Sequence, residues 1–239
     1  MIPFRNIIIE GVDRLGKGTL IKGIQDQLGY FQHVHYQKPL DLACLRTRTA
    51  SREDPDINKR AALRAYQEAS FKQMFKFLAM PDSRFIMDRA HLGETVYAPR
   101  YRKYDGSYVF DLERQYLLNG DVDQATLLVL LHTSNWDFIK DDGESFNFEA
   151  KEEEQNDFVR AFEKSIFTYK VMLDVHNGMG GFVSAEALAN TVCQAWRELK
   201  TYHRPILNVR WNAIERLPNM EYEIVRIAEQ QLDPRKAVS

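Results

Sequence analysis

The segment Gly11-Val12-Asp13-Arg14-Leu15-Gly16-Lys17-Gly18-Thr19 spaces two glycines by five positions, sets a lysine after the second and brings a hydroxyl two residues later. The spacing G-x-x-x-x-G-K suits consecutive backbone N–H groups turned into one concavity around a phosphate, which Gly11 and Gly16 permit because they lack a Cβ. Lys17 then reaches the β- and γ-phosphates of a nucleoside triphosphate, and the following helix aims the positive end of its dipole at the same anion. The flanks agree. Ile7-Ile8-Ile9 reads as a buried strand before the loop, and Leu20, Ile21, Ile24 and Leu28 recur on one side of a helix after it. An ordinary glycine-rich turn between a strand and a helix is the alternative, and it accounts for neither the lysine nor the spacing. Gly11, Gly16, Lys17, Gly18 and Thr19 are therefore the expected phosphate cradle.

A second cluster sits at the end of another apolar run, Phe85-Ile86-Met87, where Asp88-Arg89 is followed by Ala90-His91-Leu92-Gly93-Glu94-Thr95-Val96-Tyr97. An Asp at a strand end beside a phosphate loop can hold Mg2+ through water, and a neighbouring Arg can straddle the phosphoryl being moved. Alone, an Asp-Arg pair is equally a surface ion pair. Thr19 is a further candidate for the metal ion or its waters, although the residue directly after Lys17 is Gly18. That G-K-G-T order is similar to adenylate kinases and their relatives, which implies a small-molecule phosphotransferase and not a GTPase switch.

Taken together, the two motifs resemble the thymidylate kinase family, whose loop reads G-x-D-x-x-G-K and whose second motif is D-R with an aromatic nine residues after the Asp, as Asp88 and Tyr97 stand here. The resemblance runs over roughly the first 200 residues in order and size of elements, and over these motifs alone in identity. It implies ATP and Mg2+ as cofactors, and Asp13, Arg14, Lys17 and Arg89 as catalytic residues, with the metal held from Thr19 and Asp88. One subclass of the family places an Arg directly after the loop Asp and has a lid poor in basic residues. Asp13-Arg14 fits that subclass, because the lid candidate at 133–150 holds no Arg and only Lys140. One cation is needed against the equatorial oxygens of the moving phosphoryl, so Arg14 is the expected one. Other readings remain: a backbone hydrogen bond for Asp13, a structural salt bridge for Arg89 and core packing for Tyr97.

The acceptor side departs from the family. Members carry an Arg in the middle of the long helix after the second strand, where this chain reads Tyr66-Gln67-Glu68-Ala69-Ser70-Phe71-Lys72-Gln73. Phe71 can stack on a base, Gln67 or Gln73 can read its edge, and the phosphate grip falls to Lys72, Arg64 or Lys38. His91, Glu94 and Tyr97 complete the expected acceptor set. Beyond them, Tyr97-Ala98-Pro99-Arg100-Tyr101-Arg102-Lys103-Tyr104 alternates rings and cations, a composition that suits one nucleotide, a single strand, or merely a solvated loop.

Positioning these residues takes an alternation of strands (6–10, 33–37, 84–87, 126–132, 181–184) and helices (18–28, 57–79, 92–97, 111–118, 152–175, 185–199). That order argues an α/β fold: a five-stranded parallel sheet with helices on both faces and ligands at the strands' carboxyl ends. With the resemblance, the expectation is the three-layer P-loop kinase fold, with residues 1–200 as core, a lid at about 133–150 and residues 201–239 as an extension packed on it. Residues 50–58 read as a mobile loop, Ser184 as a helix cap, and Glu152-Glu153-Glu154 as a first turn favoured by the helix dipole.

Composition bounds the rest. A formal net charge of −2 provides no global field to recruit nucleic acid or membrane. Cys44 and Cys193 are the two cysteines, far apart and without metal-ligand spacing, which reads as a reduced cytoplasmic protein, in host cytoplasm if the source is a phage. The first strand begins too early to leave room for a signal peptide, and no apolar run is long enough for a membrane span. The reading is thus a phosphotransferase from ATP to a pyrimidine deoxynucleotide (dTMP to dTDP), with a small nucleotide as partner, no membrane, and a homodimer admitted. Two alternatives stay open: a phage kinase acting on a deoxynucleoside or on hydroxymethyluracil within DNA, and a non-catalytic nucleotide-dependent switch.

Overall fold

A computed structural model describes residues 5–36, 57–81, 84–118, 121–141, 147–201 and 209–212. The strands are β1 (Asn6–Glu10), β2 (Gln32–His35), β3 (Phe85–Asp88), β4 (Thr126–His132), β5 (Lys170–Asp174) and β6 (Val209–Asn212). The helices are α1 (Lys17–Leu28), α2 (Ile57–Ala79), α3 (Leu92–Tyr97), α4 (Val109–Leu117), α5 (Asp121–Gln124), α6 (Lys151–Lys164) and α7 (Ala185–Thr201), with a π-helical turn at Ala98–Arg102. All strand pairs are parallel and run in the order β2-β3-β1-β4-β5-β6, with helices on both sides. The compact apolar runs of β1, β3 and β4 are buried throughout apart from His132 at the end of β4, as strands covered on both faces must be. No helix among the described residues is long and apolar enough to cross a membrane.

The order β3-β1-β4 brings three strand ends together. Register pairs Ile9 with Asp88 and Glu10 with Leu130, so the glycine loop after β1 and the Asp88-Arg89 step after β3 leave the sheet side by side. At Gly11 the chain runs so close to β4 that a Cβ would stand 2.6 Å from the Leu131 carbonyl oxygen. A side chain there would push the loop off the sheet.

Two expectations fail in the second half. The helix expected over 152–175 ends at Lys164, and Lys170–Asp174 is the fifth strand; the strand expected at 181–184 is instead one antiparallel bridge, His176 to Phe182, closing a surface loop. The physical reason is Lys170. Its buried Nζ donates to the carbonyls of Phe162 (2.8 Å) and Ser165 (2.7 Å), satisfying acceptors that the end of α6 leaves open. Ser184 does cap α7, its Oγ accepting from Ala187 N at 3.1 Å. β6 adds a sixth strand beyond β5 that no sequence pattern announced. The remainder of the 201–239 extension, residues 50–56 of the expected loop, Cys44 and Lys38 lie outside the described residues, while Ile57 and Asn58 open α2 and are not loop.

Candidate active site

At the loop, strain and burial coincide. Gly11 (φ 134°), Arg14 (φ 76°) and Gly16 (φ 79°) hold left-handed backbone, natural for the glycines and costly for Arg14. Lys17 opens α1 and is buried; its Nζ donates to Gly11 O (2.9 Å) and Val12 O (2.7 Å), so the ammonium lies inside the ring of loop carbonyls. Burial, and then the nearby Arg89 charge, lower its pKa from 10.5 to about 8, against the pull of Asp13, Asp88 and Glu10. The unfolded lysine binds its proton up to 10.5, so this group costs stability below about 8 and that cost is relieved as pH rises from about 8 towards 10.5. A triphosphate beside the ammonium favours the charged form. ATP binding is therefore expected to take up protons at pH 8, and fewer at pH 6.5, which calorimetry in buffers of different ionisation enthalpy measures; equal uptake at both values would place Lys17 away from the phosphates.

Arg89, in left-handed backbone (φ 64°), ties its N–H to Ile9 O (2.9 Å) and its Nη2 to Asp13. Asp13 also faces Lys151 Nζ at 4.0 Å, and Lys151, buried at the start of α6, bonds Glu154 at 2.8 Å. Lys151 escaped the sequence reading because it stands one residue past the lid boundary and heads a run that read as an ordinary charged first turn. Arg14 is exposed, and its Nη2 donates to the carbonyl of Lys140 at 3.2 Å, joining the phosphate loop to the expected lid. The root of that lid is fixed by an amide clamp: Gln155 Oε1 accepts from Thr133 N (2.7 Å) and its Nε2 donates to Thr133 O (2.9 Å). Residues 142–146 of the lid lie outside the described residues.

Asp88 ends β3 opposite His35 of β2, and their side chains meet at 2.7 Å from His35 Nδ1 to Asp88 Oδ2. Its other oxygen, Oδ1, is buried and has no hydrogen-bond partner among the described residues. An orphaned carboxylate oxygen beside a phosphate loop fits a Mg2+ ion held through water, since Mg2+ keeps much of its own hydration and needs few protein ligands. Thr19 is exposed in the first turn of α1. Among the described residues no group of three or more metal-ligating side chains exists, so this chain would share the ion with phosphate oxygens and water.

Beside the loop lies a cavity of about 50 Å³. One wall is aromatic: Phe71 of α2 stacks on Tyr36 (6.1 Å between centroids), and Tyr97 meets Phe158 edge-on (5.6 Å). The polar lining is Glu10, Gln67, Arg89, Glu94 and Arg102. Glu10 is fully buried; its Oε1 accepts from Leu92 N at 2.9 Å, its Oε2 is unpartnered among the described residues, and burial raises its pKa. Phe71, Glu94, Tyr97 and Arg89 from the sequence reading thus share this cavity, whereas Glu10 and Arg102 had not been assigned to it.

Other expected acceptor residues stand elsewhere. Lys72 pairs with Glu68 (2.6 Å) and Arg64 lies over the Tyr108 ring (5.3 Å), neither lining the cavity. His91 is fully buried, with Nε2 on Glu113 (2.6 Å), and does not line it either. Glu113 also accepts from Ser165 Oγ (2.7 Å) and Ile166 N (2.8 Å), so the pair bolts the start of α3 to α4 and to the α6–β5 corner. Burial alone would raise the Glu113 carboxyl, but the His91 contact and these donors outweigh it and hold its pKa below 4.5. Glu113→Ala is expected to destabilise the fold by about 3–5 kcal/mol, the scale for a buried pair left with one member. Denaturant unfolding checks it. A depressed carboxylate stabilises above its unfolded value of 4.5 and loses that contribution as pH falls further, so the wild-type advantage should shrink in acid.

The stretch at 97–104 is absorbed by the protein. Arg100 Nε and Nη1 bond Asp157 (2.9 Å) and Glu153 (3.1 Å) of α6, the Tyr101 hydroxyl bonds Glu154, and Arg102 bonds Glu94. Neither a solvated loop nor a row of free cations describes it.

No family model matches the chain, and no curated protein sequence matches it. Solved structures do. YorR from Bacillus subtilis, determined in complex with phosphorylated GDP, superposes with a TM-score of 0.54 at 16% identity, over 83% of this chain and 99% of that one. Thymidylate kinase from Candida albicans, described as having broad substrate specificity, gives 0.52 at 15% identity, over 83% and 93%. At such identities the likeness concerns architecture, and it establishes that the chain has the P-loop kinase fold expected from its sequence.

Proposed function

We propose that this chain moves the γ-phosphoryl of ATP to a pyrimidine deoxynucleotide, with thymidine monophosphate as acceptor. The observation that carries the reading is the position of Arg89, whose Nη2 is held by Asp13 of the phosphate loop while the residue lines the aromatic cavity. Its Nε is buried and unpartnered among the described residues, a donor placed between a triphosphate loop and a pocket that suits a flat ring. In this reading Lys17 and the loop N–H groups bind the donor, Arg14, Arg89 and Lys151 surround the moving phosphoryl, and Phe71 with Tyr97 holds the acceptor. Mg2+, when bound through Asp88, supplies charge neutralisation at the phosphates. Catalysis is then positioning plus preorganised charge, which is what phosphoryl transfer demands.

Phe71→Ala is the direct test of the acceptor side. It should weaken dTMP binding by about 1–3 kcal/mol, the scale of a lost base stack, and leave ATP binding unchanged. Calorimetry with each nucleotide decides it: equal loss for both, or none for dTMP, removes the cavity from the account.

One observation favours a hydroxyl acceptor as second reading. Arg89 is paired with Asp13 and Arg102 with Glu94, so the cavity offers little surplus positive charge to a monophosphate, and the unpartnered Glu10 Oε2 is a base within it. Glu10 would then take the proton of the hydroxyl as its oxygen bonds the γ-phosphorus and the bond to the ADP oxygen breaks. Deoxynucleosides compared with their monophosphates discriminate the two.

A further inference from the structure

The family-like cation on the long helix is absent, and the cavity acquires one from a different element. Arg102 closes the π-helical turn, just before Lys103 (φ 58°) redirects the chain, and π turns of this kind recur at functional sites. Its side chain is 11% exposed and opposite it Glu94 is wholly buried. Nη1 donates to Glu94 Oε2 and reaches the Tyr104 hydroxyl at 3.2 Å, while Glu94 Oε1 accepts from the hydroxyls of Tyr104 (2.6 Å) and Tyr108 (2.9 Å). Both oxygens of Glu94 are taken. The hydrogen bonds of the Arg102 guanidinium run through Nη1, and the residue lines the cavity alongside Gln67 and the Phe71–Tyr36 stack.

We propose that Arg102 reads the base in this cavity and selects nucleobases that present ring carbonyl oxygens (thymine, uracil or guanine) over those that present an exocyclic amino group in their place (cytosine or adenine). The inference rests on the cavity being the acceptor site. A guanidinium carries donors and no acceptor. Glu94 already matches its charge, so its remaining N–H groups suit a neutral carbonyl edge more than a second anion. An amino group there would set donor against donor, and sites built to hydrogen-bond one group reject the near-isostere that lacks it. The aromatic stack holds any flat ring and does not discriminate; Arg102 does.

The test is calorimetric titration of the full chain with dTMP, dUMP, dGMP, dCMP and dAMP at one salt concentration, with label transfer from ATP followed in parallel. The bases with the carbonyl at that position should bind about ten- to a hundredfold tighter than the amino bases, the scale for a polar group left without its hydrogen-bond partner. Comparing dTMP and dUMP with dGMP tells whether the cavity admits a purine. Arg102→Lys keeps the charge and its pairing with Glu94 but loses the fork, so the ratio should collapse towards unity while ATP affinity stays unchanged. Amino bases binding as tightly as the others to the native protein, or an unchanged ratio in folded Arg102→Lys, overturns the inference. An intact ratio without label transfer sinks the phosphotransfer reading and leaves base selection standing. Transfer without a ratio does the reverse.

Discussion

Lys17→Ala should fold normally and lose phosphoryl transfer by about 10²- to 10³-fold or more, the scale for removing one preorganised donor at developing charge. Stability should change little, because burial already works against the ammonium and pulls its pKa to about 8. What the variant forfeits is the cation inside the loop, now bonded to Gly11 O and Val12 O and placed to exchange those carbonyls for phosphate oxygens. Single-turnover rates on folded protein measure it. Near-normal turnover would remove the glycine loop from the donor site and take the Asp13 and Arg14 assignments with it.

Arg14→Ala should lower kcat by about 10²- to 10³-fold with little change in the KM for ATP, since the charge it meets develops mainly in the transition state. Its left-handed backbone and its bond to Lys140 O set the side chain against the segment expected as the lid. Lys151 is the rival cation, buried and 4.0 Å from Asp13. The double variant Lys151→Met, Glu154→Gln removes both members of that pair, so no uncompensated charge stays in place of the lysine. A loss confined to KM in Arg14→Ala, with kcat collapsing in the double variant, transfers the role to Lys151.

The strand, glycine loop and helix at the start of the chain were legible because their information is local: two glycines, a lysine and the apolar runs on either side specify them within about two dozen residues. The residues at 85–97 were legible for the same reason. What could not be read were contacts closed by tertiary structure. Arg100 and Arg102 look like free cations until α6 brings Asp157 and Glu153, and until Glu94 turns inward. His91 looks like a site residue until Glu113 meets it from α4. Lys170 looks helical because Lys-Val-Met-Leu-Asp carries no signal separating a buried strand from a buried helix; only the carbonyls it caps decide. Asp88 was placed correctly at a strand end, yet its partner His35 comes from a parallel neighbour whose register no local pattern gives.

The proposed function requires that one chain join a triphosphate loop to the adjoining aromatic cavity for phosphoryl transfer. Purified protein with γ-labelled ATP, Mg2+ and dTMP, its products separated and counted, tests this most directly. The account predicts one labelled dTDP for each ADP formed, and a rate lower by about 10²- to 10³-fold or more in Lys17→Ala. ADP formed together with labelled free phosphate, and no label in dTDP or in the phosphorylated product of any other nucleotide or deoxynucleoside offered, would contradict it.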